Sequence, residues 1–281
     1  MGMAGSAALC SLSFIGTATV LMRLGEFTVL TDPNFVRQGQ WVYLGKGLFS
    51  RRRTDPAIGI SQLPELDAVV LSHLHGDHFD RMSRRHLEPD TPIFTTPEAA
   101  EKLRSGGFTE AVPMTTWSEQ RLTSGSASLR LTSLPGQHGF GLVGRLLPPV
   151  MGTLVEYQAG PGLRPLRIYL TGDTLVYDEL AEIGRRFPEI DLAVVHLGGT
   201  RVFGALVTMD GRQGVDLLHL LRPRRAVPVH YDDYGVFRSP LSNFEYELRR
   251  RPPATHVRYL WRGDTVDLPV CSVSDSGETS T

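Results

Sequence analysis

A histidine-rich segment, HLHGDH, occupies residues 73–78 and directly follows the apolar run AVVL at 68–71. It places three imidazoles and one carboxylate within six residues, at the expected end of a buried strand. Neutral imidazole is the commonest metal ligand in proteins, and zinc-like divalent ions accept mixed nitrogen and oxygen ligands. The segment therefore predicts a metal site at the edge of a sheet, and a chance cluster on a solvated loop is the alternative.

Three further polar residues come just after later apolar runs. His138 follows LPGQ, Asp173 follows IYLTG and His230 follows VPV. Alone, each has an ordinary explanation as a turn residue, a helix cap or a satisfied core histidine, but turns at strand ends are where α/β proteins assemble sites from distant segments. With the first segment they give a coherent candidate set of five histidines and two aspartates: His73, His75, Asp77, His78, His138, Asp173 and His230.

The apolar pattern predicts the elements that must position these side chains. Strands are expected at 9–15, 19–24, 27–31, 68–71, 93–95, 128–134, 151–157, 166–170, 192–195, 226–229, 257–261 and 265–268. Helices are expected after Asp80 through His86, from Thr96–Pro97 to Gly106, and over 175–186, 213–221 and 243–250. The first half has a mainly antiparallel pattern and the second alternates strand and helix. Both fit one layered α/β domain with helices covering two sheets.

Residues 34–65 are expected to form a long connection that serves as a lid or substrate wall, or that packs over the sheet. With Phe140, Leu142, Leu146, Leu147 and Phe203, its apolar part at 35–49 could line a pocket, although ordinary core packing is the better single explanation for most of these residues.

Composition limits the function classes. The chain has 281 residues, 41% hydrophobic and 21% charged, with a formal net charge of -1. We expect a single domain over 1–271 and a disordered polar tail at 272–281. The near-neutral charge argues against nucleic acid as a partner, and the short arginine runs, such as 51–53, are interpreted as solvated surface.

No stretch is long enough to span a membrane, and no signal peptide is recognised. Two cysteines suggest reduced thiols and a cytoplasmic protein.

The order and spacing of the seven candidate ligands resemble the metallo-β-lactamase superfamily, whose motif is a strand followed by His-x-His-x-Asp-His and then by a His, an Asp and a His at three later strand ends. The resemblance covers nearly the whole chain. It implies an α/β fold, namely a four-layered αββα sandwich of two pseudo-related halves. It would place His73, His75 and His138 on a first metal and Asp77, His78 and His230 on a second, with Asp173 bridging.

Within the superfamily, the chain is most similar to a subgroup that includes the ascorbate-6-phosphate lactonase and N-acyl phosphatidylethanolamine phospholipase D types. The similarity lies in Asp32–Pro33, the long apolar segment before the motif, TGDT at 171–174 and PVHY at 228–231. One departure is His196, where related chains often have proline. We interpret it as a contact to a metal ligand or the substrate, with a buried histidine bonded to backbone equally open.

The ligand set predicts a hydrolase with two divalent ions. Zinc is favoured, and manganese, iron or nickel remain open. A hydroxide between the metals would attack a small-molecule ester, lactone or amide, oriented by Asp77 or Asp173, and Asp32 would orient a ligand imidazole. His196, Tyr231 and Asp232 are candidate proton donors to the leaving group.

Two alternative functions remain open. One is a phosphodiesterase or nuclease that uses Arg51–Arg53, and the other is a non-hydrolytic metal-binding protein. The sequence leaves the oligomeric state open.

Overall fold

The structure is a computed structural model that describes residues 10–268. The predictions for residue 9, Cys271 and the tail at 272–281 lie outside the described residues. Within 10–268, no helix combines the length and apolar character that crossing a bilayer requires.

Two large mixed sheets form the framework. The first has the order β18-β1-β2-β3-β6-β7-β8. Its strands are β1 (Cys10–Gly16), β2 (Thr19–Leu24), β3 (Phe27–Thr31), β6 (Ala68–Val70), β7 (Ile93–Thr95), β8 (Ala111–Pro113) and β18 (Thr265–Leu268). The second has the order β17-β16-β13-β12-β11-β10-β9. Its strands are β9 (Glu119–Ser124), β10 (Ala127–Leu134), β11 (Gly152–Gln158), β12 (Leu166–Leu170), β13 (Leu192–His196), β16 (Arg225–Val229) and β17 (His256–Val257). Two small hairpins lie outside these sheets: β4 (Trp41–Tyr43) with β5 (Phe49–Arg51), and β14 (Arg201–Val202) with β15 (Ala205–Leu206).

Both sheets have the same internal plan. Strands β18, β1, β2 and β3 are antiparallel, whereas β3, β6, β7 and β8 are parallel. Likewise β9 to β12 are antiparallel, and β12, β13, β16 and β17 are parallel. The expectation of an antiparallel first half and an alternating second half was therefore wrong, because each half contains both patterns. The repeated plan agrees with two pseudo-related halves.

Helices cover the outer faces of the two sheets. These are α1 (Arg81–His86), α2 (Pro97–Ser105), α4 (Ala181–Arg186), α5 (Gly211–Leu221) and α6 (Leu241–Arg250), whereas α3 (Gly141–Leu146) buries none of its residues. Leu103 of α2 belongs to the apolar cluster on the outer face of the first sheet, with Leu30 and Val69. Leu218 of α5 and Phe244 of α6 cover the second sheet. The predicted α/β sandwich with αββα layering is confirmed.

The main core lies between the sheets, where alternate residues of each strand point inward. In β1, Leu12 and Phe14 are buried while Ser11 and Ser13 are half-buried. They share one cluster with side chains from the facing sheet, such as Leu131 of β10. This core holds the two sheets together, so the ends of their strands meet at one edge of the sandwich.

Three predicted elements differ from the structure. The connection at 34–65 contains the β4–β5 hairpin and a turn of 3-10 helix at Ile60–Gln62. The helix predicted over 175–186 becomes regular only at Ala181, after a turn of 3-10 helix at Asp178–Leu180. The backbone N–H groups of Leu175 and Val176 donate to the Gln137 carbonyl and the Gln213 side chain. The strand predicted over 257–261 is reduced to β17. Its next bond to β16 would need an N–H at residue 228, which is proline.

Candidate metal centre

The histidine-rich segment turns at the end of β6, where the first sheet meets the second. Asp80 ends it by accepting hydrogen bonds from the backbone N–H groups of Met82 and Ser83, which caps α1. At Gly76 a Cβ would lie 2.5 Å from the Tyr43 carbonyl oxygen, so the β4–β5 hairpin packs directly on the backbone of the segment. Strand end, cap and hairpin together fix this short turn.

A first group consists of His73, His75 and His138. Nε2 of His73 lies 2.9 Å from Nδ1 of His75, and the ring centroids of His73 and His138 are 5.0 Å apart. One ligand nitrogen from each of the three residues lies within 4.8 Å of the others. All three side chains converge from two elements, the turn after β6 and the turn after β10.

A second group consists of Asp77, His78 and His230, whose ligand atoms also lie within 4.8 Å of one another. Oδ2 of Asp77 is 3.4 Å from Nε2 of His230. His230 follows β16 with a φ of 60°, a left-handed conformation that is uncommon for a residue other than glycine. Such strain is often found where a side chain must be aimed at a site.

Asp173 connects the two groups. Its Oδ2 lies 3.5 Å from Nε2 of His78, and its Oδ1 lies 3.4 Å from Nδ1 of His230. Asp173 also forms a compact set with His73 and His78, with ligand atoms within 4.8 Å. The structure thus brings all seven sequence-predicted residues together.

Several buried polar atoms at this centre lack a hydrogen-bond partner. They are Asp77 Oδ1, His78 Nε2, Asp173 Oδ1 and both ring nitrogens of His230. Leaving such atoms unpaired away from water costs about 1–3 kcal/mol each, more when the group is charged. Divalent cations would satisfy the two carboxylate oxygens, His78 Nε2 and one ring nitrogen of His230, so the donor set fits a metal centre.

The other ring nitrogens are held by neighbouring groups. Nδ1 of His138 lies 2.6 Å from the Val207 carbonyl oxygen, to which it donates, so Nε2 carries the lone pair. Nδ1 of His78 lies 3.2 Å from Oδ2 of Asp32. Oδ1 of Asp32 accepts from the backbone N–H of Ser72 at 2.7 Å. Partners of this kind orient ligand imidazoles and raise their basicity.

Electrostatics divides the histidines into two classes. Burial, with the neighbouring imidazoles, lowers the pKa of His73 well below its ordinary value, and burial and His138 lower the pKa of His75 to about 4. Burial also lowers the pKa of His138. For His78, burial opposes the charged form, but the carboxylates of Asp173 and Asp32 outweigh it and raise the pKa. The first group is therefore neutral at pH 7, whereas His78 carries a proton when no metal competes for it.

His196 is buried beside the centre. Its Nε2 is 3.5 Å from Oδ2 of Asp32, its Nδ1 is 3.0 Å from Oγ1 of Thr171, and its ring is parallel to that of His78 at 6.0 Å. It lines a cavity of about 10 Å³ between the sheets. The geometry favours contact with a residue that holds a candidate ligand over contact with substrate. It does not support the alternative of a ring bonded to backbone, because the ring's partners are side chains.

Sequence reasoning missed several supporting groups. Thr208 donates to Oδ2 of Asp173 at 3.0 Å, and Ser72 bonds both Asp32 and His73. Ser72 adjoins the motif and could have been suspected. Thr208 and the Val207 carbonyl reach the centre only through tertiary packing, which a single sequence does not reveal.

Arg52 corrects the interpretation of the run at 51–53 as solvated surface. It is 1% exposed, its NH2 lies 3.6 Å from Oδ1 of Asp233, and its NH1 donates to the Asn34 carbonyl. Tyr234 shares Asn34 as a hydrogen-bond acceptor. Because Asn34 also donates to the Gly76 carbonyl, this buried network supports the turn that carries the candidate ligands.

An open cavity of about 710 Å³ adjoins His75. Leu146, Leu147 and Phe203 line it, together with Leu44 and Leu48 of the 34–65 segment. Phe140 and Leu142 do not line it. Two of the sequence-predicted proton donors do not line it either: Tyr231 packs in the cluster under α5 and α6, and Asp232 pairs with Arg262 at 2.5 Å.

Comparison with known proteins decides the family. A family model described as a β-lactamase superfamily domain matches residues 28–231. The chain belongs to the β-lactamase superfamily. Among curated relatives, it is 30% identical over 216 residues to a UPF0173 metal-dependent hydrolase of Deinococcus radiodurans, covering 77% of this chain and 86% of the relative. The prediction that the chain is a metal-dependent hydrolase of the metallo-β-lactamase superfamily is confirmed.

Solved structures show the same fold. The crystal structure of "a possible metal-dependent hydrolase" from Veillonella parvula matches this chain with a TM-score of 0.77 and 21% sequence identity. The match covers 93% of this chain and 100% of that one. An isothiocyanate hydrolase from Delia radicum gut bacteria has a TM-score of 0.75 and 20% identity, covering 91% of this chain and 98% of that one. At such identities the likeness concerns the fold alone.

Proposed function

We propose that the chain is a binuclear metal-dependent hydrolase of small-molecule esters, lactones or amides. The observation that carries this proposal is the pair of compact ligand groups, His73 with His75 and His138, and Asp77 with His78 and His230, which share Asp173. All seven ligands offer nitrogen or oxygen, and the described part of the chain places no thiol among them, which favours zinc over softer ions.

Divalent ions held by these two groups would supply an activated water as nucleophile at neutral pH and would polarise the scissile carbonyl. The residues of the chain perform the remaining tasks. Asp173, fixed by Thr208, and Asp77, beside His230, are the carboxylates positioned to orient the nucleophile and hold its proton. The Asp32 carboxylate orients the His78 ring, and His196 contacts the same oxygen of Asp32, Oδ2.

The finer assignment to the lactonase and phospholipase D subgroup also remains part of this proposal. It is supported by Asp32, which turns the chain after β3 with a φ of 36° and places its carboxylate against His78. Asp173 and His230 lie at the strand ends expected from that resemblance.

The experiment is a metal analysis of the purified protein, followed by a substrate panel. The panel compares 4-nitrophenyl esters, aliphatic lactones, anilides and bis(4-nitrophenyl) phosphate, each with wild type and His75→Ala. We expect about two metal ions per chain and turnover of a carboxylic ester or lactone that His75→Ala abolishes. Turnover of the phosphodiester alone would favour a phosphodiesterase. Full metal occupancy without turnover would favour a non-hydrolytic metal-binding protein.

The positions of the arginines at 51–53 give less support to a phosphodiesterase than the sequence did. Arg52 is buried in its ion pair with Asp233. Arg51 and Arg53 line a different cavity, with Gln38 and Val236, and His75 does not line that cavity. The run at 51–53 is therefore not positioned to bind a phosphate held at the candidate metal centre.

A further inference from the structure

The cavity beside His75 has an apolar wall. Leu74, Leu146, Leu147 and Phe203 line it, and Phe203 is 91% exposed at the tip of the β14–β15 hairpin. Its volume of about 710 Å³ lies within the range of small-molecule sites, and one candidate ligand forms part of its lining. A substrate that reaches the metal centre from this side therefore contacts mostly apolar surface.

The charged side chains around this wall are mostly positive. Four basic side chains, Lys46, Lys102, Arg145 and Arg201, line the cavity, against the single carboxylate of Glu98. The chain as a whole has a net charge of -1, so the excess of positive charge is local. Both lysines of the entire sequence are among these four residues.

Three of the four basic groups lack an acidic partner. Glu98 pairs with Lys102 at 2.5 Å, so these two neutralise each other. Arg201 donates to the Gly204 carbonyl, which is uncharged. Across residues 10–268, no carboxylate forms an ion pair with Lys46, Arg145 or Arg201. Among exposed arginines outside the cavity, Arg185 and Arg186 pair with Glu182, whereas others such as Arg85 have no ion pair within residues 10–268. The distinguishing feature of this cavity is that three unpaired cations line the same site.

The backbone places Lys46 close to the metal centre. Gly45, Lys46 and Gly47 all have positive φ, 89°, 50° and 80°, which makes a tight tip on the β4–β5 hairpin. A Cβ at Gly45 would lie 3.6 Å from Nε2 of His75, so the hairpin tip approaches a candidate ligand directly. A lysine in the left-handed region is uncommon, whereas the two flanking glycines adopt positive φ without the steric cost of a Cβ.

We infer that this cavity binds an apolar small molecule carrying one anionic group, and that Lys46, Arg145 and Arg201 select it by charge. The inference rests on the proposed function, because it places this molecule as the substrate of the candidate metal centre. The apolar wall holds the body of the substrate, and the basic rim attracts its anionic end. The chemistry is shared by carboxylates, sulfonates and phosphates that have an aliphatic or aromatic body.

The kinetic test uses two esters of equal acyl length, mono(4-nitrophenyl) adipate and 4-nitrophenyl hexanoate. The first ends in a carboxylate and the second in a methyl group. We expect wild type to prefer the anionic ester by about tenfold in kcat/KM, and the preference to fall about threefold in Lys46→Met and further in Lys46→Met/Arg145→Met. Salt raised from about 0.02 M to about 0.5 M should reduce the preference by screening. Arg85→Met, an exposed arginine of α1 outside the cavity, is the control and should leave the preference unchanged.

A binding test separates this inference from the proposed function. Calorimetry on the metal-loaded protein compares hexane-1-sulfonate with hexyl methyl sulfone, and requires no turnover. Tighter binding of the sulfonate, lost in Lys46→Met/Arg145→Met but kept in Arg85→Met, supports anion selection even if neither ester is hydrolysed. Absence of hydrolysis would then count against the proposed function alone. Equal binding of the two ligands, or a preference that both variants retain, overturns the inference.

Discussion

The Asp32 carboxylate lies 3.2 Å from Nδ1 of His78, while its second oxygen accepts the backbone N–H of Ser72. Asp32 thus connects the end of β3 to the turn that holds the candidate ligands. Burial would raise its pKa, but His78 and His196 hold it at about 2, so the carboxylate is charged at neutral pH. It orients the His78 ring with Nε2 toward Asp173.

Asp32→Asn should weaken metal binding at the second group by about 10–100-fold, because His78 loses its charged orienting partner. Competition against a chelating dye measures the affinity, and circular dichroism checks that the fold is retained. Asp90→Asn, at an exposed position after α1, is the control. Unchanged affinity in Asp32→Asn would show that the contact has no influence on the metal.

His75→Ala should remove metal from the first group and abolish turnover without unfolding the protein, because His75 is not fully buried and lies in a turn rather than in the sheet core. Elemental analysis and the ester assay measure both effects. His86→Ala, an exposed histidine on α1, should keep metal and activity. Normal turnover by the His75 variant would contradict the ligand assignment.

His196→Ala should lower turnover while the metal content stays at the wild-type level, since His196 contacts Asp32 and Thr171 and does not line the large cavity. Its pKa is lowered, mainly by burial, so the ring is neutral and faces Asp32 without adding charge. A loss of metal would instead identify His196 as a direct ligand. This outcome is open to test because Asp32, His78 and His196 themselves form a compact group.

The metal-binding equilibrium should depend on pH through His78. Its pKa is raised in the metal-free fold, where nearby carboxylates stabilise the charged form, whereas the pKa values of His73, His75 and His138 are lowered. At neutral pH, metal binding should release about two protons, one from His78 and one from the water that becomes hydroxide, and affinity should increase as the pH rises toward the pKa of His78. Calorimetry in buffers of different ionisation enthalpy measures this number. Release of one proton or none would contradict the charged state assigned to His78.

Arg52→Met should lower the free energy of unfolding by about 2 kcal/mol, because the buried Asn34 carbonyl would lose its donor and Asp233 would keep only Arg262 as a cationic partner. Arg53→Met, at the exposed next position, should change it by no more than about 0.5 kcal/mol. Urea denaturation of the two variants gives the comparison. Equal stability of both would mean that the Arg52–Asp233 pair does not contribute to the fold.

The sequence predicted those features that depend on local pattern. The β-rich runs at 19–24 and 27–31, with the turn between them, predicted the bounds of β2 and β3, and Asp80 and Thr96 marked the starts of α1 and α2. The seven site residues could be chosen because each follows an apolar strand and has a side chain suited to metals. The predicted single domain over 1–271 remains a prediction.

Features that depend on tertiary partners could not be predicted in the same way. The burial of Arg52 depends on Asp233, which is distant in sequence, and nothing local separates it from Arg51 and Arg53. The basic rim of the cavity combines hairpin tips and short helices from four segments. The β4–β5 hairpin was missed because each of its three-residue strands has only one buried residue, whereas the equally short β7 is buried throughout and was predicted.

The most direct test of the binuclear centre is a crystal structure of the metal-loaded protein with anomalous diffraction recorded above and below the absorption edge of the bound metal. We predict two anomalous peaks about 3.5–4 Å apart. One should lie among His73, His75 and His138, the other among Asp77, His78 and His230, with Asp173 between them. A single peak, or peaks distant from these side chains, would contradict the account.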